Sequence, residues 1–210
     1  VMERPAVAGE PLRDADMRYI ADYAENLAFR GMVAMECERD PDYREMQRIL
    51  CKSDFLYFIN VFCWTYDPRI DDEARRVCPF VTYEFQDDLA TWIIWLIRNK
   101  DDGLMEKSRD QGLTWLFIAI VVWMLIFYER TSAMLISQIE DDVDNRTVKS
   151  LFGKARLILS NLPPWMRAGW IERQQGVDTQ MLINFPDTNS TLHGSMPRGT
   201  AARGARFAVL

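Results

Sequence analysis

"KSRDQGLTW", Lys107 to Trp115, places a glycine and a threonine where a phosphate-binding loop would have them, but without its lysine. In G-x-x-x-x-G-K-[ST] the last glycine lets the backbone approach phosphate, the lysine neutralises its charge, and the hydroxyl holds Mg²⁺. Here Gly112 and Thr114 match the glycine and the hydroxyl, and Leu113 occupies the lysine position. Lys107 at the front of the stretch and Arg109 within it are the nearby cations. The simplest alternative is a plain strand-to-helix turn, because G-x-[ST] alone recurs by chance.

The flanks place the loop between secondary-structure elements. Leu104 to Lys107 is expected to be a short strand, and a helix is expected from about Leu113 to Tyr128, whose segment "LFIAIVVWMLIFY" is almost wholly apolar. The first amides of such a helix lack intrahelical partners and point outward, and the helix dipole adds positive potential, so anions bind there. The apolar segment falls short of the ~20 residues needed to span a bilayer, which favours a buried core helix and no membrane association.

Beyond this helix, short apolar runs alternate with helical ones. "SAMLISQ", "TQMLINF" and "RFAVL" are expected strands, and "NRTVKSLFGKARLILSNL" an expected helix. Such alternation predicts an α/β fold with a largely parallel sheet flanked by helices. Before the loop the chain is helical. "DADMRYIADYAENLAFRGMVAMECERD" and "PDYREMQRILCKSDFLYFINVFCW" each predict a helix, with Asp14 and Asp42 at N-terminal positions, and "FQDDLATWIIWLIRNK" a third. "TYDPRIDDEARRVCP" is a polar connector bounded by proline. The expected division is a helical N-terminal region, 1–78, and an α/β core, 79–210.

Apolar residues make up 49% of the 210, enough for a full core and too many for a disordered chain. The four cysteines form no C-x-x-C pair, which argues against zinc and a disulfide framework and suits a reduced, cytoplasmic setting. The first residues contain no basic segment followed by an apolar run, so no signal peptide is expected. Net charge is −6, yet residues 145–210 carry nine Lys and Arg against three Asp and Glu, so only this last third suits an anionic partner, with ordinary surface charge as the alternative, favoured for the scattered residues before Arg198. Glu140, Asp141, Asp142 and Asp144 suggest a metal cluster less than they suggest partners of a helix dipole. His193, the single histidine, has no acid or cysteine signature beside it and receives no role.

"KSRDQGLTW" resembles the deviant Walker A loop of the large terminase subunits of tailed phages, in which the phosphate-binding cation moves to the front of the loop. "PFVTYEFQDD", Pro79 to Asp88, resembles the adenine-binding motif of the same family, and "FCWTYDPR" and "LISQIEDDVDN" are similar to further segments of it. A glutamine amide offers both a donor and an acceptor to the edge of adenine, so Gln86 would read the base while Tyr83 stacks on it or packs nearby. The alternative for Gln86 is a polar residue at a helix N-terminus.

The resemblance implies an ASCE-type P-loop NTPase core that binds ATP and Mg²⁺. The β- and γ-phosphates would lie on the backbone of Ser108, Arg109, Asp110, Gln111, Gly112 and Leu113, with Lys107 as the first choice for the phosphate cation, Arg109 as the second, and Thr114 on Mg²⁺. "PRGTAARGARFAVL" is similar to the lead into the Walker B strand, which places the Walker B acids and a nuclease domain beyond Leu210. An arginine offered to a neighbouring subunit's ATP would be Arg203, ahead of Arg206 and Arg198; the alternative for each of the three is exposure to solvent or contact with DNA phosphates. The implied activity is ATP-driven packaging of double-stranded DNA by a homo-oligomeric ring at the procapsid portal in the host cytoplasm, with the portal protein and the small terminase subunit as partners. A helicase-like ATPase and a non-catalytic scaffold are the rival expectations.

Overall fold

The structure, a computed structural model, describes residues 23–108 and 110–197. Asp14, Arg109, Arg198, Arg203, Arg206 and the last expected strand lie outside the described residues. The fold is mixed α/β: three helices, a two-stranded hairpin, two more helices, and then a four-stranded sheet interleaved with two further helices.

Helix α1, Tyr23–Arg39, is followed by α2, Pro41–Ser53, and α3, Phe55–Phe62. The sequence reads α2 and α3 as one helix; the break is Asp54. Its backbone N–H closes α2 on the Leu50 carbonyl, and its carboxylate accepts the Leu56 and Tyr57 amides at the start of α3. The break frees α3 to turn into the core, where seven of its eight residues are buried. Arg30 of α1 reaches that helix's C-terminal end, donating to the carbonyls of Asn60 and Cys63 at 2.7 and 2.8 Å.

The expected connector at 65–79 instead contributes to a hairpin. Strand β1, Trp64–Tyr66, pairs antiparallel with β2, Val77–Pro79. Helix α4, Glu84–Asn99, follows and ends on Lys100 in a left-handed conformation. The strand expected at 104–107 does not form: residues 101–108 have no regular structure, and Leu104 is 96% exposed. Two apolar residues flanked by charge cannot hold a strand without a neighbour to pair with.

Helix α5, Leu113–Phe127, is the centre of the molecule, with eleven of its fifteen residues buried. Trp123 Nε1 donates to the Cys51 carbonyl at 2.7 Å, and Phe127 packs edge-on against Phe58 at 5.6 Å, so α5 holds α2 and α3 in the same core as the sheet. No helix among the described residues is long and apolar enough to cross a membrane.

Strand β3, Ser132–Ile136, leads through the short α6, Glu140–Val143, to α7, Leu151–Asn161. Strands β4, Asp178–Thr179, β5, Leu182–Phe185, and β6, Ser190–Ser195, complete a sheet in the order β3-β6-β5-β4. Contrary to the largely parallel expectation, only β3 and β6 run parallel among the described residues, from Ser132 opposite Thr191 to Ile136 opposite Ser195; the other two pairings are antiparallel. The turns at 180–181 and 186–189 are too short for a crossover, so they reverse the chain. The first of these also splits "TQMLINF", with Met181 at φ 56°. Helix α7 starts six residues later than expected because Asn145 and Ser150 turn their side chains onto the backbone, Ser150 accepting the Gly153 amide.

A buried ion network fixes α7 to the sheet. Arg156 donates two hydrogen bonds to Asp144, at 2.6 and 2.9 Å, and one to Asp178 at 2.8 Å. Asp144 also accepts the backbone amides of Arg146 and Met181. Burial alone would raise the Asp144 carboxyl, but the Arg156 guanidinium and these amides outweigh it and hold the group below the usual carboxylate range. Of the four acids in "EDDVD", Glu140, Asp141 and Asp142 fill the first turn of α6, a short helix the sequence reading did not expect, rather than leading into α7, while Asp144 belongs to this network.

Candidate functional site

Thr188 Oγ1, just ahead of β6, donates to the Leu125 carbonyl near the end of α5 at 2.7 Å. The opposite, N-terminal end of α5 therefore points toward the finishing ends of β3 and β6, where ligands bind in open α/β sheets. Gly112 occupies the cap position at φ 70° and ψ 4°, and Asp110 before it is also left-handed, at φ 63°. A glycine has no side chain with which to cap the helix, so the first-turn amides of α5 receive no partner from within it.

Gly112 is required by contact as well as by conformation. A Cβ at this position would lie 2.9 Å from Gln86 Nε2. Gln86, in the first turn of α4, is 2% exposed. Its Oε1 accepts the Tyr83 amide at 3.1 Å, and its Nε2 donates to the Gln111 carbonyl at 2.8 Å. The motif expected to read adenine thus does meet the loop, but through the loop's backbone. Gln86 is the polar residue of a helix N-terminus, and it braces residues 111–112 against α4. Tyr83 is 65% exposed and stacks on Phe85, with ring centroids 5.8 Å apart and an interplanar angle of 8°.

A cleft of about 280 Å³ opens here, lined by Lys107, residues 110–115 and Lys154. Leu113 is buried, so the position that carries lysine in an ordinary phosphate loop faces the core. Lys107 is exposed, and its Nζ lies 3.4 Å from the Ser108 carbonyl. Ser108 is exposed and is not part of the cleft wall. Thr114 is half-buried and lines the cleft.

Lys154, on α7, is the cleft residue that sequence reasoning missed. Its Nζ donates to the carbonyls of Lys149 and Ser150, at 2.7 and 3.4 Å, and lies 5.7 Å from the centre of the Trp115 ring. Burial pushes its ammonium below the ordinary lysine value, opposed by Asp142. Nothing in "NRTVKSLFGKARLILSNL" distinguishes this lysine from a surface one; only the packing of α7 against α5 brings it to the cleft.

Among the described residues the site therefore brings together the start of α5, which no side chain caps, two lysines, a hydroxyl and one acid, Asp110. Among the described residues no group of three or more His, Cys, Asp and Glu gathers to hold a metal. Mg²⁺ fits this donor set only as the partner of a phosphate, with the Thr114 hydroxyl as a single protein ligand. His193, on β6, has its Nε2 3.1 Å from Thr191 Oγ1, away from the cleft lining. No protein-family model matches the chain, and no curated protein matches it.

Proposed function

We propose that the chain is the ATP-binding part of a large terminase subunit, which couples ATP hydrolysis to movement of double-stranded DNA into a procapsid. The observation that carries the proposal is the glycine-capped start of α5 in a cleft whose lining brings Lys107 and Lys154 to the same place, with Asp110 as the one acid among them. Such a site suits a polyphosphate because the glycine lets the backbone come close and the brace from Gln86 holds residues 111–112 in place before a ligand arrives.

In this reading the β- and γ-phosphates lie on the amides from Gln111 to Thr114. Lys107 lends charge at the mouth, together with Arg109 by the family resemblance, and Thr114 presents its hydroxyl to Mg²⁺. Bound Mg²⁺ would neutralise charge between the phosphates. Gln86 acts on the nucleotide through the loop, holding Gln111 and Gly112 in place. The exposed Tyr83, stacked on Phe85 and three residues before Gln86, offers its ring to the base. The portal protein, the small subunit, the ring assembly and a trans role for Arg203 follow from the resemblance alone.

ATP turnover by the whole protein, with and without double-stranded DNA, tests the reading. The expected result is turnover that DNA stimulates, that separates no strands, and that Lys107→Ala abolishes. Strand separation would point to a helicase-like motor, and turnover unaffected by Lys107→Ala would remove that lysine from the chemistry. Absence of ATP binding would reduce the loop to a turn in a scaffold.

A further inference from the structure

The burial of Leu113 leaves the cleft needing a cation deeper than Lys107. We propose that Lys154 of α7 is a phosphate-binding residue of this cleft, its ammonium moving from the carbonyls of Lys149 and Ser150 to an oxygen of the nucleotide's terminal phosphates. The inference rests on the nucleotide reading and adds to it a residue from a different helix.

The first support is position. Lys154 lines the same cleft as Gly112 and Thr114, although it lies forty residues further along the chain. The second is what holds it. Its hydrogen-bond partners are two neutral carbonyls, one of them at 3.4 Å, with Asp142 attracting it through space; a hydrogen bond to a charged phosphate is roughly twice as strong as one to a neutral acceptor. The third is order. The side chain is half-buried and packs on Trp115, so it is confined to the cleft before a ligand arrives, whereas Lys107 stands in solvent. Burial already disfavours its charge, and a neighbouring phosphate would relieve that penalty.

The exchange costs the fold little. Ser150 caps α7 through its hydroxyl, which accepts the Gly153 amide at 3.1 Å, and this bond does not involve the lysine. An ammonium leaving the Ser150 carbonyl therefore does not uncap the helix.

Two measurements test the proposal. In the first, Mg·ATP, inorganic tripolyphosphate and adenosine are titrated against wild-type protein, Lys154→Met and Lys154→Arg, with unliganded melting as a check of the fold. Lys154→Met should weaken ATP and tripolyphosphate by about ten- to a hundredfold, the range of one charge-assisted hydrogen bond, and leave adenosine unchanged. Lys154→Arg should recover most of the loss. In the second, which needs no substitution, acetylation of Lys154 in the wild-type protein is followed with and without tripolyphosphate, and protection is expected. ATP affinity of Lys154→Met within twofold of wild type, or acetylation unchanged by tripolyphosphate that does bind, would overturn the role of Lys154 and leave the loop reading standing. Failure of the wild-type protein to bind either ATP or tripolyphosphate would overturn both.

Discussion

Replacing Gly112 with alanine tests how the loop is held. The backbone at φ 70° costs an L-residue about 1–2 kcal/mol. The new Cβ would also stand 2.9 Å from Gln86 Nε2, and Gln86 cannot move away freely because both ends of its amide are bonded. Displacing it loses the bond to the Gln111 carbonyl, worth about 1 kcal/mol. The two effects together come to about 2–3 kcal/mol, which lowers Tm by about 4–12 °C for a chain of this size. Gly176→Ala supplies the control: its φ is 80°, nothing lies within 4 Å of the added Cβ, and only the backbone cost should appear. Denaturant unfolding of Gly112→Ala, Gln86→Ala and the double variant then separates the terms, because the contact part of the cost vanishes once Gln86 is gone. The two substitutions should be less than additive by about 1 kcal/mol. Full additivity, or a cost no larger than that of Gly176→Ala, would refute the bracing of the loop by α4.

The buried network gives a second prediction. Asp144→Asn leaves Arg156 with one carboxylate fewer inside the protein, and should cost about 3 kcal/mol in urea unfolding at pH 7. Because the folded Asp144 carboxyl is depressed, its contribution is complete above the unfolded value of about 3.9 and is lost as pH falls through the lower folded value. The wild-type protein should therefore lose stability below about pH 4 more steeply than Asp144→Asn; parallel curves would remove Asp144 from the acid response. Gly31→Ala, at an exposed position inside α1 with nothing within 4 Å of the new Cβ, should stabilise by about 0.5–1 kcal/mol, and a loss would show that Gly31 is needed for more than the helix.

Much of the frame was legible because it is local. The start of α5 follows from Gly112 and the apolar run behind it, and β3 from the compact "SAMLI". The errors have physical causes. Asp54 serves as both the end of α2 and the start of α3, a double role hidden within a continuous apolar periodicity. Strand β6, "STLHGS", is mostly polar, and it is recognisable as a strand only once β3 and β5 lie on either side of it. The turn "PDTN" before it is a hairpin signal, and with it a sign of the antiparallel half of the sheet, that the reading by alternation of helices and strands did not use.

The turn ahead of α5 was legible in the sequence, and the cleft beside it was not. Gly112 and Thr114 stand out by spacing alone. Gln86 was chosen for its amide, and the amide is what matters, yet its partner is a carbonyl twenty-five residues away that no spacing rule identifies. Lys154 depends wholly on how α7 packs against α5.

The most direct measurement is the structure of the protein with Mg²⁺ and a non-hydrolysable ATP analogue. The account predicts the β- and γ-phosphates on the amides of Gln111 to Thr114, the Thr114 hydroxyl on the metal, and a lysine Nζ within hydrogen-bond reach of a phosphate oxygen. A triphosphate bound elsewhere, or a loop at Gly112 that stays empty at saturating nucleotide, would contradict it.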